Sequence, residues 1–87
     1  MIREEIETKV NEVFEESFEI ERSRLAPTAR IFDDLGLDSL DTVDLVVALQ
    51  RKFGVRIGQD ERIRQIRTLN DIYDFVTALK GQGPAQP

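Results

Sequence analysis

Asp33-Asp34-Leu35-Gly36-Leu37-Asp38-Ser39-Leu40-Asp41-Thr42-Val43-Asp44-Leu45-Val46-Val47-Ala48-Leu49-Gln50-Arg51-Lys52-Phe53 is the stretch from which the fold can be read. Asp38 is suited to be an N-cap, because its carboxylate can accept hydrogen bonds from the unpaired amides of a first helical turn. Asp41, three residues on, is a short version of the reciprocal capping-box partner, and its charge suits the positive helix end. Ser39 then falls at the first helical position with its hydroxyl outward, and Gly36 lets the chain turn closely into that start. A phosphate ester on Ser39 would sit where helix termini bind anions.

The body of this helix carries two apolar stripes, where a surface helix needs one. At roughly 100° per residue, Leu45, Val46, Leu49 and Phe53 gather on one side as a core face. Leu40, Val43 and Val47 gather on another, bordered by Asp44 and Gln50. Two readings of the second stripe compete. It packs on another helix, or it is an exposed apolar patch rimmed by carboxylates, the mark of a docking surface.

Asp38-Ser39-Leu40, preceded by Leu35-Gly36-Leu37 and followed by Asp41-Thr42-Val43-Asp44-Leu45-Val46, resembles the prosthetic-group site of type II acyl carrier proteins. In that family the serine carries a 4′-phosphopantetheine arm, and the helix after it docks partner enzymes. Peptidyl carriers usually show Gly-Gly-x-Ser instead, so the Leu-Gly-x-Asp-Ser-Leu form favours the acyl branch. The resemblance is tight from Leu35 to Leu49 and looser over the rest of residues 2–80. It implies an arm on Ser39, with Asp38 capping and touching the transferase that installs it. It also implies docking through Leu40, Asp41, Val43, Asp44 and Val47. Leu49, Phe53, Ile57, Ile63 and Tyr73 are the candidates for sheltering an acyl chain.

Composition sets limits around this reading. Eighty-seven residues allow one small domain with a modest core. There is no cysteine and no histidine, which excludes disulfides, thiolate metal sites and any Ser-His or Cys-His nucleophile. A hydrolase built on Ser39 is thereby a poor reading, and the resemblance to acyl carriers implies a carrier that is not an enzyme. No apolar run reaches the length of a membrane span, and Met-Ile-Arg-Glu-Glu has no signal-peptide core, so a cytoplasmic monomer is expected.

The net charge of −5 hides an asymmetry. Residues 1–50 hold thirteen acids and five bases; residues 51–87 hold four acids and seven bases. Nucleic acid is an unsuitable partner for the acidic part. Asp33, Asp34, Asp38, Asp41 and Asp44 repel one another but do not follow the EF-hand pattern, because Leu35, Leu37 and Asp38 fall at its third, fifth and sixth positions. Only weak, nonspecific divalent binding is expected there. Arg51, Lys52, Arg56, Arg62, Arg64 and Arg67 stand where familiar acyl carriers stay acidic, and Ile57-Gly58-Gln59 stands where they commonly have a proline. This basic segment is either a solvated face or a device for choosing partners.

In chain order, Ile2, Ile6, Val10, Val13 and Phe14 mark an amphipathic helix over about residues 2–17, with Phe18 and Ile20 covering the core beyond it. Pro27 and the lost periodicity give a long first loop from Glu19 to Leu37, pinned by Leu25, Ile31, Phe32, Leu35 and Leu37. Gly54 stops the central helix, and Val55 and Ile57 tether the next connection. Asp60 can cap a short helix over Glu61–Gln65 with Ile63 and Ile66 inward. Thr68 with Asp71 opens a final helix through Leu69, Ile72, Tyr73, Val76 and Leu79.

The expected fold is an all-α four-helix bundle, with three longer helices and one short third helix. Residues 1–81 form the carrier domain and 82–87 a disordered tail. The expected partners are a phosphopantetheinyl transferase and acyl-transferring and ketosynthase-type enzymes of fatty acid, polyketide or related biosynthesis. A helical adaptor with an unmodified Ser39 is the alternative.

Overall fold

The computed structural model describes residues 2–57 and 61–82. Among these, three α-helices run in the order α1 (Arg3–Phe18), α2 (Ser39–Phe53) and α3 (Leu69–Gln82). Two short 3-10 helices, Arg22–Arg24 and Glu61–Gln65, lie in the connections. The fold is all-α, but the fourth member expected of a bundle is a 3-10 turn rather than an α-helix. Five residues cannot repay the nucleation of an α-helix, and the tighter ring closes instead, with the Ile66 amide reaching the Ile63 carbonyl at 3.2 Å. The cap expected of Asp60, and the tail beyond Gln82, lie outside the described residues.

Helix α1 buries Ile6, Val10, Val13 and Phe14, the spacing that puts side chains on one face. Ile2 does not join them. It is the N-cap residue and remains 61% exposed, because a cap precedes the first helical turn and its side chain is not carried round onto the core face. Phe18 still belongs to the helix and packs against the core, and Ile20 is buried just after it. Helix α1 packs against both α2 and α3.

The long loop is sewn to the start of α3 by backbone hydrogen bonds. The Ile31 amide donates to Arg67 O, Leu69 to Ala29 O and Asn70 to Pro27 O, all at 2.9 Å. Leu25, Ala29, Ile31, Leu35 and Leu37 are buried along this loop, so it behaves as a wall of the core. Phe32 departs from the expected pinning, since it is 42% exposed.

At the start of α3 the Asp71 carboxylate accepts from the amides of Arg67 at 2.9 Å and Thr68 at 3.1 Å, and the Asp71 amide donates back to Thr68 Oγ1. This is the expected reciprocal cap. Donation by these amides holds the Asp71 carboxyl below its ordinary range. Arg3 ties the N-terminal end of α1 to α3, pairing with Asp74 at 2.8 Å while its guanidinium lies 5.7 Å from the Tyr73 ring centre.

Candidate functional site

Helix α2 begins at Ser39, and the reason is chemical. Asp38 Oδ1 accepts from the amides of Leu40 at 2.9 Å and Asp41 at 3.0 Å, while Asp41 Oδ2 accepts from the Asp38 amide at 3.0 Å. Both halves of the capping box are present. Gly36 enters this turn at a φ of 75°, a left-handed conformation that glycine adopts without strain. Ser39 is exposed at the first helical position.

The cap also changes the electrostatic expectation. Two amides that could have received a phosphate at Ser39 are already held by Asp38. The capped terminus therefore has fewer free donors to offer an anion beside Ser39 than the sequence alone implied. The neighbouring acids are likewise engaged: Asp33 pairs with Arg30 at 3.4 Å, and Asp34 accepts from the Arg30 amide at 2.8 Å. Among the described residues no group of acids is arranged to hold a metal ion.

Among the described residues, no other helix packs on the second apolar stripe of α2. Leu40 is 79% exposed, Val43 62% and Val47 40%, whereas Leu45, Leu49 and Phe53 are buried on the opposite stripe. Asp44 is exposed and Asp41 half-buried beside them. Ser39 thus stands at the end of an open apolar strip with carboxylates at its edge.

Next to this strip is an apolar cavity between α2 and α3. Helix α2 contributes Thr42, Leu45, Val46 and Leu49 to it. The loop adds Ile31 and Phe32, the 3-10 segment and its exit add Ile63 and Ile66, and α3 adds Phe75. Its free volume is about 30 Å³, room for a water molecule or two and not for an acyl chain at rest. Of the sheltering residues expected from sequence, Leu49 and Ile63 line it.

Phe53, Ile57 and Tyr73 are not brought to this cavity. Phe53 sits one turn further along α2, and its carbonyl accepts from Lys80 Nζ at 3.4 Å. Ile57 is buried, with its amide donating to Gln50 Oε1 at 2.9 Å. Tyr73 faces α1, where its hydroxyl donates to Asn11 Oδ1 at 2.6 Å. Burial pushes its phenol above the usual value. Phe75, two residues on and about 200° round the helix, is the α3 residue that faces the cavity. Its apolar character was the available signal, and it was masked because 72, 73, 76 and 79 complete a face without it.

No helix among the described residues is long and apolar enough to cross a membrane. The family described as phosphopantetheine attachment site matches residues 8–76. The chain is 38% identical over 79 residues to acyl carrier protein 2 of Ralstonia nicotianae, covering 91% of this chain and 96% of that protein. It is 39% identical, with the same coverage, to an acyl carrier protein of Thermotoga maritima. With the capped serine site, the apolar strip and these similarities in hand, the chain belongs to the acyl carrier protein family, non-catalytic carriers that bear phosphopantetheine.

Proposed function

We propose that Ser39 is the residue that carries the 4′-phosphopantetheine arm. The supporting observation is its exposure at the first position of α2, one residue after the double cap by Asp38. Cap and attachment point are separate residues, so the hydroxyl stays available while the turn stays fixed. The chain has no histidine to take the hydroxyl proton, and Asp38 and Asp41 are occupied by backbone amides. The base must therefore come from the transferase, with Asp38 as a contact for it. When bound, the arm supplies the thiol that this cysteine-free chain lacks, and acyl groups ride on it as thioesters.

Leu40, Val43 and Val47, with Asp41 and Asp44 at their edge, form the docking face for the transferase and for acyl-transferring and ketosynthase-type enzymes. Apolar area exposed on one side of a helix and edged by carboxylates suits a partner that is apolar at its centre and basic at its rim. The cavity bounded by Leu49, Ile63 and Phe75 is the shelter for the acyl chain, opening as the chain enters. The carrier works as a monomer in the cytoplasm, its domain closing near Gly81, with the 3-10 segment as the short fourth member of the bundle. It serves fatty acid, polyketide or related biosynthesis, and its basic segment suits a specialised pathway better than a primary synthase.

The experiment is acyl loading of the phosphopantetheinylated protein by an acyl-transferring enzyme. Wild type should take up one acyl group that neutral hydroxylamine releases, as a thioester requires. Ser39→Ala should take up none. An adaptor with an unmodified serine would give no hydroxylamine-labile acyl group in either protein.

A further inference from the structure

The apolar cavity ends at Phe75, and something different lies behind that ring. A second, outer groove runs between the Glu61–Gln65 segment and α3, lined by Arg62, Gln65, Ile66, Asp74, Phe75 and Ala78 among others, with a volume of about 260 Å³. Ile66 and Phe75 border both spaces, whereas Arg62 borders only the outer one. The Arg62 guanidinium lies 5.2 Å from the centre of the Phe75 ring, within the range of a cation–π contact. Phe75 is thus a partition 5% exposed, with apolar space on one side and a cation on the other.

Resting on the shelter proposed above, we infer that Phe75, held by Arg62, is the back wall that sets how long an acyl chain this carrier accommodates. The inner cavity alone is too small for a chain, so side chains must move as one enters. Leu45 and Leu49 are buried and border only the inner cavity, with no outer groove to turn into. Phe75 has a large groove behind it into which its ring can turn, and what opposes that turn is the contact with Arg62. A chain long enough to displace the ring passes into a groove floored by carbon but edged by Arg62, Asp71 and Asp74, where further methylenes gain little from burial. The preferred substrates are therefore acyl groups that end before the wall.

The test uses the phosphopantetheinylated protein loaded with straight saturated acyl groups of increasing length, and reads the thermal midpoint of each. In wild type the midpoint should rise with length and then level off where the chain meets Phe75. In Phe75→Leu the levelling point should move to longer chains by at least about one methylene, because the smaller side chain frees that volume and no longer closes off the outer groove. In Arg62→Gln it should move the same way by less, because the ring is released but still present. Arg64→Gln, a neighbouring exposed arginine, should match wild type. An unmoved levelling point in Phe75→Leu or Arg62→Gln overturns the inference, and should Phe75→Leu fail to fold, the surface variant Arg62→Gln decides alone. A wild-type midpoint indifferent to chain length overturns the shelter itself and this wall with it, while leaving attachment at Ser39 to its own test.

Discussion

Asp38 and Asp41 cap one another: each carboxylate accepts a hydrogen bond from the other's backbone amide, at 3.0 Å in both directions. Ser39 is held between them without taking part. This division of labour predicts that the cap can be weakened without touching the modified residue. Asp38→Ala should destabilise the protein by about 1 kcal/mol, and Asp38→Asn, which keeps the acceptor, by much less. Asp38→Ala and Asp41→Ala combined should cost less than the sum of the two, because each removes part of the same device. Urea unfolding of the four variants checks this.

Asp71 supplies the pH dependence. Amides of Arg67 and Thr68 hold its carboxyl below the ordinary value of 3.8. A carboxylate with a depressed folded-state pKa stabilises the protein fully above its unfolded value, and that stability disappears as pH falls through the folded value. Asp71→Asn should therefore be less stable than wild type at neutral pH. The gap should shrink as the solution is acidified below about 3.8. Denaturant midpoints of both proteins across that range provide the measurement. A gap that stays constant with pH would mean that the cap acts without its charge.

Much of this could be read from the chain. The cap at Asp38 rests on local backbone chemistry, and the stripe of Leu40, Val43 and Val47 on helix geometry, so both were legible. The stripe's exposure was not, since a second apolar face suits a buried helix equally well until its neighbours are known. Tyr73 and Phe75 show the limit most clearly. Both are buried aromatic residues of α3, and periodicity cannot say which of two covered faces meets α1 and which meets the cavity. That depends on where the long loop crosses, fixed by the bonds from Ile31 to Arg67 and from Leu69 to Ala29. Those pairings join residues about forty positions apart, beyond any local pattern.

The basic segment leads to a prediction about partners. Arg64 and Arg67 are exposed, and the Arg67 side chain donates to the carbonyls of Arg64 and Ile66. The charge of both is open to an approaching protein. An enzyme with a compact basic patch should engage the carboxylates of Asp41 and Asp44 alone, and one whose basic patch extends further should be repelled. Arg64 and Arg67 changed together to Glu should speed elongation by a primary ketosynthase, chiefly through association and chiefly at low salt. Phosphopantetheinylation should change little. Kinetic assays of both reactions at two ionic strengths test this. Equal ketosynthase rates for the two proteins would leave the arginines as a solvated face.

The most direct measurement is intact mass followed by peptide mapping after incubation with coenzyme A and a broad-specificity phosphopantetheinyl transferase. Wild type should gain the mass of one phosphopantetheine, located on the peptide containing Ser39. Ser39→Ala should keep the helical circular dichroism of wild type and gain nothing. A folded wild-type protein that stays unmodified with several transferases, or that carries the group on a residue other than Ser39, would contradict the account.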